Sequence, residues 1–351
     1  MAKYLALTND RVTEEHLHDL ITSIGGLGGD VEVRQSGARL LLIAEALAAE
    51  GLEAALTACE HVRTVVDADL PHPLAGPVAD GGRTVVRVAG VAFGAGRPVL
   101  IAGPCSAENP QVLLETAKSV RDAGAAMLRV GMFKPRTSPY SFHGLGREGI
   151  ALLSGVRDEI GLPVVTEVMS VRDIDLVAGV ADMVQVGARN MQNYSLLVEL
   201  GRAGVPVLLK RGLAATVSEW LNAAEYLLAN GASDVVLCER GIRTFDRTTR
   251  FTLDLNAVPV VKERSHLPVI VDPSHGTGVA RYVGPMSAAA LAAGSDGLII
   301  EVHPDPAVAL SDGDQSLDFD EFAALATRLR RICSALGTGL EPAPGLAPAR
   351  P

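Results

Sequence analysis

Residues 129–144 bring cationic and hydroxyl side chains together in a short segment, RVGMFKPRTSPYSFHG, that two prolines stiffen. Its chemically capable members are Arg129, Lys134, Arg136, Thr137 and Ser138. Because proline denies the segment a helix or a central strand, we expect a rigid loop. Fixed guanidinium and ammonium groups bind phosphate or carboxylate. The segment is therefore a candidate anion site, and an ordinary solvated basic loop is the alternative.

Similar chemistry recurs along the chain, just past short apolar runs. The eight residues found there are Cys105, Arg129, Glu167, Arg189, Lys210, Arg240, His275 and Glu301. The cations among them, with Lys134, Arg136 and the neighbouring Arg211, would repel one another at one site unless anions neutralise them. Their number predicts one bis-anionic substrate or two phosphorylated substrates. The alternative is a ring of salt bridges to Glu167, Glu239 and Asp272.

A second group offers metal ligands. It consists of Cys105, His275, Glu301 and either Asp312 or Asp314. Thiolate, imidazole and carboxylate together suit a borderline divalent metal such as Mn, Fe, Co or Zn. Taken singly, Cys105 could equally be a small core residue and His275 a hydrogen-bonded core histidine.

The apolar runs predict the elements that position these side chains. They are Val99–Ala102, Ala125–Leu128, 163–165, Met183–Val186, 206–209, 234–237, 267–271 and 297–300, the third being the shortest. Continuous apolar runs that alternate with helix-length segments indicate buried parallel strands. Eight such units predict a (β/α)8 TIM barrel, with an open doubly wound sheet as the alternative. A barrel gathers the residues at its strand ends into one mouth.

The first 70 residues have a different rhythm. Strands at 3–8, 30–34, 39–44 and 62–67 alternate with helices at 13–24 and 51–59 in the order βαββαβ, which predicts a small ferredoxin-like α+β domain. We expect residues 1–70 to form this regulatory domain and 71–97 a linker and hairpin. The catalytic barrel should span 98–338, with a disordered tail at 339–351.

Composition excludes several classes of protein. The chain of 351 residues has a net charge of −10, which argues against nucleic-acid binding, and 48% hydrophobic residues, which can fill a core. The start MAKYLALTNDR lacks the apolar core of a signal peptide, and no run nears 18 apolar residues. The four cysteines are far apart. We therefore predict a cytoplasmic protein without a membrane span or disulfides.

These motifs together resemble the 3-deoxy-D-arabino-heptulosonate 7-phosphate (DAHP) synthases, type I β subgroup. The resemblance rests on IAGPCS (101–106), LRVGMFKPRTSPYSFHGLG (128–146), QVGARNMQN (185–193), LLKRG (208–212), LCERG (237–241), VDPSHGTG (271–278), IEVHPDP (300–306) and ALSDGDQSL (309–317). That family condenses phosphoenolpyruvate with erythrose 4-phosphate and releases phosphate. Its subgroup often carries an N-terminal ferredoxin-like regulatory domain.

The resemblance implies a role for each candidate residue. Phosphoenolpyruvate would be held by Arg129, Lys134, Arg189, Lys210 and Arg240, and erythrose 4-phosphate by Arg136, Thr137 and Ser138. One divalent metal would be bound by Cys105, His275, Glu301 and Asp312, which the family motif favours over Asp314. Lys134 is the expected proton donor to the aldehyde, and Glu167 is expected near the attacking water.

Two other functions compete with this interpretation. The nearest is 3-deoxy-D-manno-octulosonate 8-phosphate synthase, which uses arabinose 5-phosphate; KPRTS at 134–138 resembles the erythrose 4-phosphate form rather than the KANRS typical of that rival. The other is a non-catalytic amino-acid sensor on the same fold. The resemblance further implies a homo-oligomer, tetramer or dimer, and inhibition by Phe or Tyr through the N-terminal domain.

Overall fold

The computed structural model describes residues 1–78, 81–134, 138 and 140–345. The chain begins with a four-stranded antiparallel sheet covered by two helices. Its elements are β1 (Ala2–Thr8), α1 (Glu14–Gly26), β2 (Asp30–Ser36), β3 (Arg39–Ala46), α2 (Ala49–Ala58) and β4 (Val62–Asp67). The strand order is β2-β3-β1-β4, which is consistent with the ferredoxin-like arrangement that the sequence predicts. Thr13 starts α1 as predicted, because its hydroxyl accepts a hydrogen bond from the His16 amide.

A short hairpin, β5 (Val86–Val88) and β6 (Val91–Phe93), leads into the barrel. Eight parallel strands then close on themselves: β7 (Val99–Gly103), β8 (Met127–Arg129), β9 (Val164–Val168), β10 (Met183–Val186), β11 (Val207–Lys210), β12 (Val235–Glu239), β13 (Val269–Val271) and β14 (Gly297–Glu301). β14 pairs with β7 in parallel register, which completes the barrel. The predicted (β/α)8 barrel is confirmed, and the open doubly wound sheet is excluded.

Helices between the strands form the outer layer. They are α3 (Pro110–Ala123), α4 (Gly146–Ile160), α5 (Ile174–Ala178), α6 (Tyr194–Ala203), α7 (Val217–Ala229), α8 (Ala257–Arg264), α9 (Pro273–Thr277), α10 (Ala280–Ala292) and α11 (Phe319–Ala335). Their apolar faces join the outward-facing strand residues in one large core that includes Trp220 and Phe322. None of the helices that the structure describes combines the length and apolarity needed to span a membrane.

Two segments outside the barrel pack against it. Leu41 of β3 belongs to the main core, and Gly37 approaches Gly231 after α7 so closely that a Cβ on Gly231 would lie 2.5 Å from the Gly37 amide nitrogen. The prediction that the tail is disordered from residue 339 onward is wrong. Glu341 donates its amide to the Pro98 carbonyl at 2.9 Å, and Ala343 is buried in the core. Residues 346–351 lie outside the described part of the chain.

Candidate active site

The carboxyl ends of the barrel strands carry most of the predicted site residues. Arg129, Lys210 and Glu301 are the last residues of β8, β11 and β14, and Glu167 lies within β9. All of these except Glu301 border a cavity of about 310 Å³, whose lining includes Arg129, Lys134, Ser138, Glu167, Arg189, Lys210, Arg240, His275 and Asp312. The predicted sugar-phosphate residues Arg136 and Thr137 lie outside the described residues. The structure thus brings the described candidates together at the carboxyl end of the barrel, with Cys105 and Glu301 next to Asp312 rather than in the cavity lining.

Three metal-ligand side chains meet beside this cavity. The ligand atoms of Cys105, Glu301 and Asp312 all lie within 4.8 Å of one another. Cys105 Sγ is 3.1 Å from Asp312 Oδ2, so the structure selects Asp312 over Asp314 as the neighbour of the thiol. His275 Nε2 lies 3.5 Å from Glu301 Oε1 and adds an imidazole to the group. This donor set fits a borderline divalent metal.

Asp272 orients the imidazole of His275. Asp272 Oδ1 accepts the His275 amide as the N-cap of α9, and Asp272 Oδ2 lies 2.8 Å from His275 Nδ1. A carboxylate next to one ring nitrogen leaves the other nitrogen for a metal, which is the usual arrangement at metal-binding histidines. Ser274 takes no part in this: its hydroxyl accepts the Glu301 amide at 3.0 Å rather than pairing with His275.

Burial and neighbouring charges shift the pKa values of the ligand group in opposite directions. Burial, reinforced by Glu301, raises the pKa of the Cys105 thiol to about 12. Burial opposes ionisation of Glu301 too, but His275 and Arg129 outweigh it and hold the pKa of that carboxyl well below its usual range. A buried thiol of this kind ionises when a cation binds it.

Some of the cations are paired with acids, as the salt-bridge alternative expected. Arg129 Nη1 contacts Glu301 Oε1, and Lys210 Nζ donates to Asp272 Oδ2 at 2.6 Å. Arg211 is bound on both sides by Glu239 and Asp254, each at 2.9 Å, and does not line the cavity. Arg211 therefore belongs to the framework of the mouth and not to the group of cations that faces the cavity.

Three other cations of the mouth differ from these pairs. Within the described part of the chain, Lys134, Arg189 and Arg240 form no ion pair. Lys134 Nζ donates to the Cys105 carbonyl at 2.9 Å, and Arg240 lies 4.0 Å over the ring of Phe251. Burial is the largest cause that lowers the pKa of Arg240, which is the signature of a buried charge with too little compensation. Such cations can bind an anion without first breaking a salt bridge.

Glu167 stands among these cations. Gln185 Nε2 donates to Glu167 Oε2 at 3.1 Å, and Gly187 leaves room for the carboxylate because a side chain at that position would overlap it. Burial raises the pKa of Glu167, although Lys134, Lys210 and Arg129 partly offset it. A carboxyl group with a raised pKa in a cavity is suited to proton transfer near neutral pH.

Sequence reasoning missed several residues of the mouth. Arg250 and Phe251 line the cavity from the loop after β12, far from any strand end. Gln315 is buried and bonded to Glu301 Oε2, and Asp272 orients His275 instead of only closing a salt bridge. The sequence offers no short spacing that links Arg250 to Asp312 or Gln315 to Glu301, whereas Asp272 lies only three positions before His275. Only the DPSH and SDGDQSL motifs could have drawn attention to Asp272 and Gln315.

Comparison with known proteins identifies the family to which this chain belongs. The model of the DAHP synthetase I family matches residues 79–336. Phospho-2-dehydro-3-deoxyheptonate aldolase of Thermotoga maritima is 47% identical over 276 residues, which cover 79% of this chain and 82% of that protein. The crystal structure of a Thermotoga maritima enzyme of that name superposes with a TM-score of 0.76 at 39% identity over 97% of this chain and all of the other.

A more distant relative carries the competing activity. The 2-dehydro-3-deoxyphosphooctonate aldolase of Geobacter sulfurreducens is 33% identical over 266 residues, which cover 70% of this chain and 97% of that protein. Its sequence identity to this chain is lower than that of the Thermotoga maritima protein. The family model, that of the DAHP synthetase I family, agrees with the name of the Thermotoga maritima protein. The resemblance drawn from the strand-end motifs is thereby confirmed: the chain belongs to the DAHP synthetase I family.

Proposed function

We propose that the protein is a DAHP synthase, which condenses phosphoenolpyruvate with D-erythrose 4-phosphate to give DAHP and phosphate, the first step of the shikimate pathway. One observation carries the proposal: a single barrel mouth combines three cations that form no ion pair with any described residue with a thiol–imidazole–carboxylate group. Two phosphorylated substrates and one divalent metal are what such a mouth can accommodate. Membership in the DAHP synthetase I family supports the same activity.

Phosphoenolpyruvate is the substrate assigned to the cationic side of the mouth. Arg189, Lys210 and Arg240 come from three neighbouring strand ends and face the same cavity as Arg129 and Lys134. Guanidinium groups bind phosphate and carboxylate with two parallel hydrogen bonds, and lysine adds a point charge. Erythrose 4-phosphate would be bound by Ser138, which lines the cavity, and by Arg136 and Thr137.

The metal would be held by Cys105, His275, Glu301 and Asp312. When bound there, a divalent metal supplies Lewis-acid polarisation of the aldehyde oxygen. The residues do not distinguish Mn, Fe, Co and Zn, since the donor set suits each of them. We infer that any metal of this class that binds will support turnover to some degree.

The remaining chemistry is assigned to side chains of this chain. C3 of phosphoenolpyruvate forms a bond to the aldehyde carbon, and Lys134, held at the Cys105 carbonyl, is positioned to give a proton to the aldehyde oxygen. C2 becomes electron-poor as C3 attacks and is captured by a water molecule, while Arg189, Lys210 and Arg240 would stabilise the negative charge on the phosphate and carboxylate oxygens of phosphoenolpyruvate. Glu167 accepts a proton from the water that adds at C2. The hydroxyl group now on C2 then loses its proton as the bond between C2 and the phosphate oxygen breaks, so that C2 becomes a ketone and inorganic phosphate leaves with that proton.

Release of inorganic phosphate from phosphoenolpyruvate tests the proposal. Purified protein is incubated with Mn²⁺, phosphoenolpyruvate and either erythrose 4-phosphate or arabinose 5-phosphate. The proposal expects rapid release with erythrose 4-phosphate and little with arabinose 5-phosphate. The reverse preference would identify an octulosonate synthase, the activity named for the Geobacter sulfurreducens relative. Binding of aromatic amino acids without turnover would identify a sensor.

We further infer that the N-terminal sheet domain mediates inhibition by Phe or Tyr. Its support is the contact between β3 and the barrel core, through which a ligand on the small domain could act on the catalytic domain. A homo-oligomeric state and a cytoplasmic location stay predictions from the resemblance and the sequence.

A further inference from the structure

We propose that Arg250 and Gln315 are positioning residues that hold the Glu301 and Asp312 carboxylates so that each presents one oxygen to the metal. The inference rests on the proposed metal site and deepens it. Arg250 Nη1 donates to Asp312 Oδ1 at 3.1 Å and to Gln315 Oε1 at 2.8 Å. Gln315 Nε2 then donates to Glu301 Oε2 at 2.6 Å. Two side chains thus connect two metal-ligand carboxylates that are eleven positions apart in the sequence.

The connection divides the carboxylate oxygens into two sets. Oδ1 of Asp312 and Oε2 of Glu301 are occupied by Arg250 and Gln315, respectively. Oδ2 of Asp312 faces the Cys105 thiol, and Oε1 of Glu301, which Arg129 Nη1 also contacts, lies 3.5 Å from His275 Nε2. The oxygens left unoccupied by the connection are therefore those closest to the other two ligands. Outer hydrogen bonds of this kind orient metal ligands.

The amide of Gln315 can serve in one orientation only. Its carbonyl oxygen accepts from the Arg250 guanidinium and its NH2 donates to the Glu301 carboxylate. With the amide reversed, the NH2 group would face a cation and the carbonyl an anion, so both contacts would become repulsive. The side chain is also buried, at 1% exposure, which leaves it no alternative partner in water.

The backbone is fixed at Arg250 and at its partner Asp312. The Arg250 amide donates to the Thr277 carbonyl at 3.0 Å, which ties the loop after β12 to the segment just past His275. Asp312 adopts the left-handed conformation, with φ of 49°, which is unfavourable for a residue other than glycine. Such strain persists where surrounding contacts enforce it, and Arg250 supplies one of those contacts.

Cobalt binding by the full-length protein tests the inference. Co²⁺ is titrated into metal-free wild type and into the variants R250Q, Q315L and the double variant, with the thiolate-to-cobalt absorption band of Cys105 as the readout. R247Q is the matched control, because Arg247 lies in the same exposed loop and forms no hydrogen bond or ion pair with the described residues. Thermal unfolding of the metal-free proteins and the KM for each substrate are measured in parallel.

We expect each single variant to bind Co²⁺ about tenfold more weakly or worse, and the double variant to be no weaker than the poorer single variant. R250Q should unfold near the wild-type temperature, because the half-exposed Arg250–Asp312 pair contributes little stability. Unchanged Co²⁺ affinity in R250Q, fully additive losses, or an equal loss in R247Q would overturn the inference, as would a raised substrate KM without weaker cobalt binding. Wild type that binds Co²⁺ but releases no phosphate would instead refute the proposed function.

Discussion

The two ends of the barrel are closed by side chains of opposite character. At the amino-terminal end, the β5–β6 hairpin places Val86, Val88, Val91 and Phe93 against the apolar barrel interior, and all four are buried. At the carboxyl end, Arg129, Lys134, Lys210, Glu301 and Asp272 are buried as well, yet they are charged. Burial of charge is costly unless it is compensated, whereas burial of valine and phenylalanine stabilises the fold directly. The amino-terminal end of the barrel therefore stabilises the fold, and the carboxyl end retains its charges for ligands.

Removal of the Cys105 thiol at the carboxyl end is expected to have the largest effect on function. C105A should lose Co²⁺ binding and lower turnover by roughly 10³-fold or more, since Lewis-acid catalysis contributes several kcal/mol. Steady-state phosphate release and cobalt titration measure the two effects. C238A is the matched control, because Cys238 is a buried thiol of the barrel interior. Wild-type activity and metal content in C105A would show that the metal site is wrongly assigned.

A change at the amino-terminal end should act on stability alone. F93A removes a fully buried ring from the hairpin and should lower the free energy of unfolding by about 3–5 kcal/mol. Below its unfolding temperature, the variant should keep wild-type kcat and cobalt affinity. Chemical denaturation gives the stability, and F245A, at a phenylalanine that is 98% exposed, is the control with little expected change. A marked loss of kcat in folded F93A would contradict the separation of the two ends.

Glu167 allows the chemistry of the mouth to be separated from metal binding. E167Q keeps the shape of the side chain but removes the proton acceptor, so kcat should fall about 10²-fold while Co²⁺ affinity is retained. E225Q is the control, because Glu225 is a largely buried acid that binds the Leu74 and Ala75 amides instead of lining the cavity. If E167Q turns over like wild type, Glu167 has no part in water activation.

The smallest effect on catalysis is expected from the small N-terminal domain. Deletion of residues 1–70 should leave phosphate release near the wild-type rate, because every described residue that lines the cavity comes from the barrel. The same deletion should abolish inhibition by Phe or Tyr. Inhibition curves for the full chain and the deletion variant make the comparison, and inhibition that survives the deletion would refute the regulatory role.

Sequence reasoning predicted the barrel well because its strands are apolar on both faces. Two predicted strand limits are wrong because residues of the site lie within the strands. The third run was predicted to end at Val165, but β9 continues through Thr166 and Glu167 to Val168. β8 likewise includes Arg129. Polar residues that belong to the mouth interrupt the apolar pattern before the strand ends, so the pattern shortens the strands that carry the site.

The candidate site was predictable only where a residue follows a strand. Cys105 and Glu301 were named from their types and places, Asp312 was preferred to Asp314 only through the family resemblance, and the structure brings the three within 4.8 Å. Arg250 and Gln315 could not be named, because their contacts depend on how the loops after β12 and β14 fold over the mouth. Arg250 reaches Asp312 across 62 residues, a separation for which no local pattern exists. Glu239 and Asp254 hold Arg211 away from the cavity for the same kind of reason.

Anomalous diffraction from crystals grown with Mn²⁺ and phosphoenolpyruvate tests most directly that one mouth holds both the metal and the anion. We expect a manganese peak in contact with Cys105 Sγ, His275 Nε2 and one oxygen each of Glu301 and Asp312. We also expect density for the substrate phosphate at Arg189, Lys210 and Arg240. A manganese peak elsewhere in the molecule, or phosphoenolpyruvate bound away from these three cations, would contradict the assignment of both ligands to this mouth.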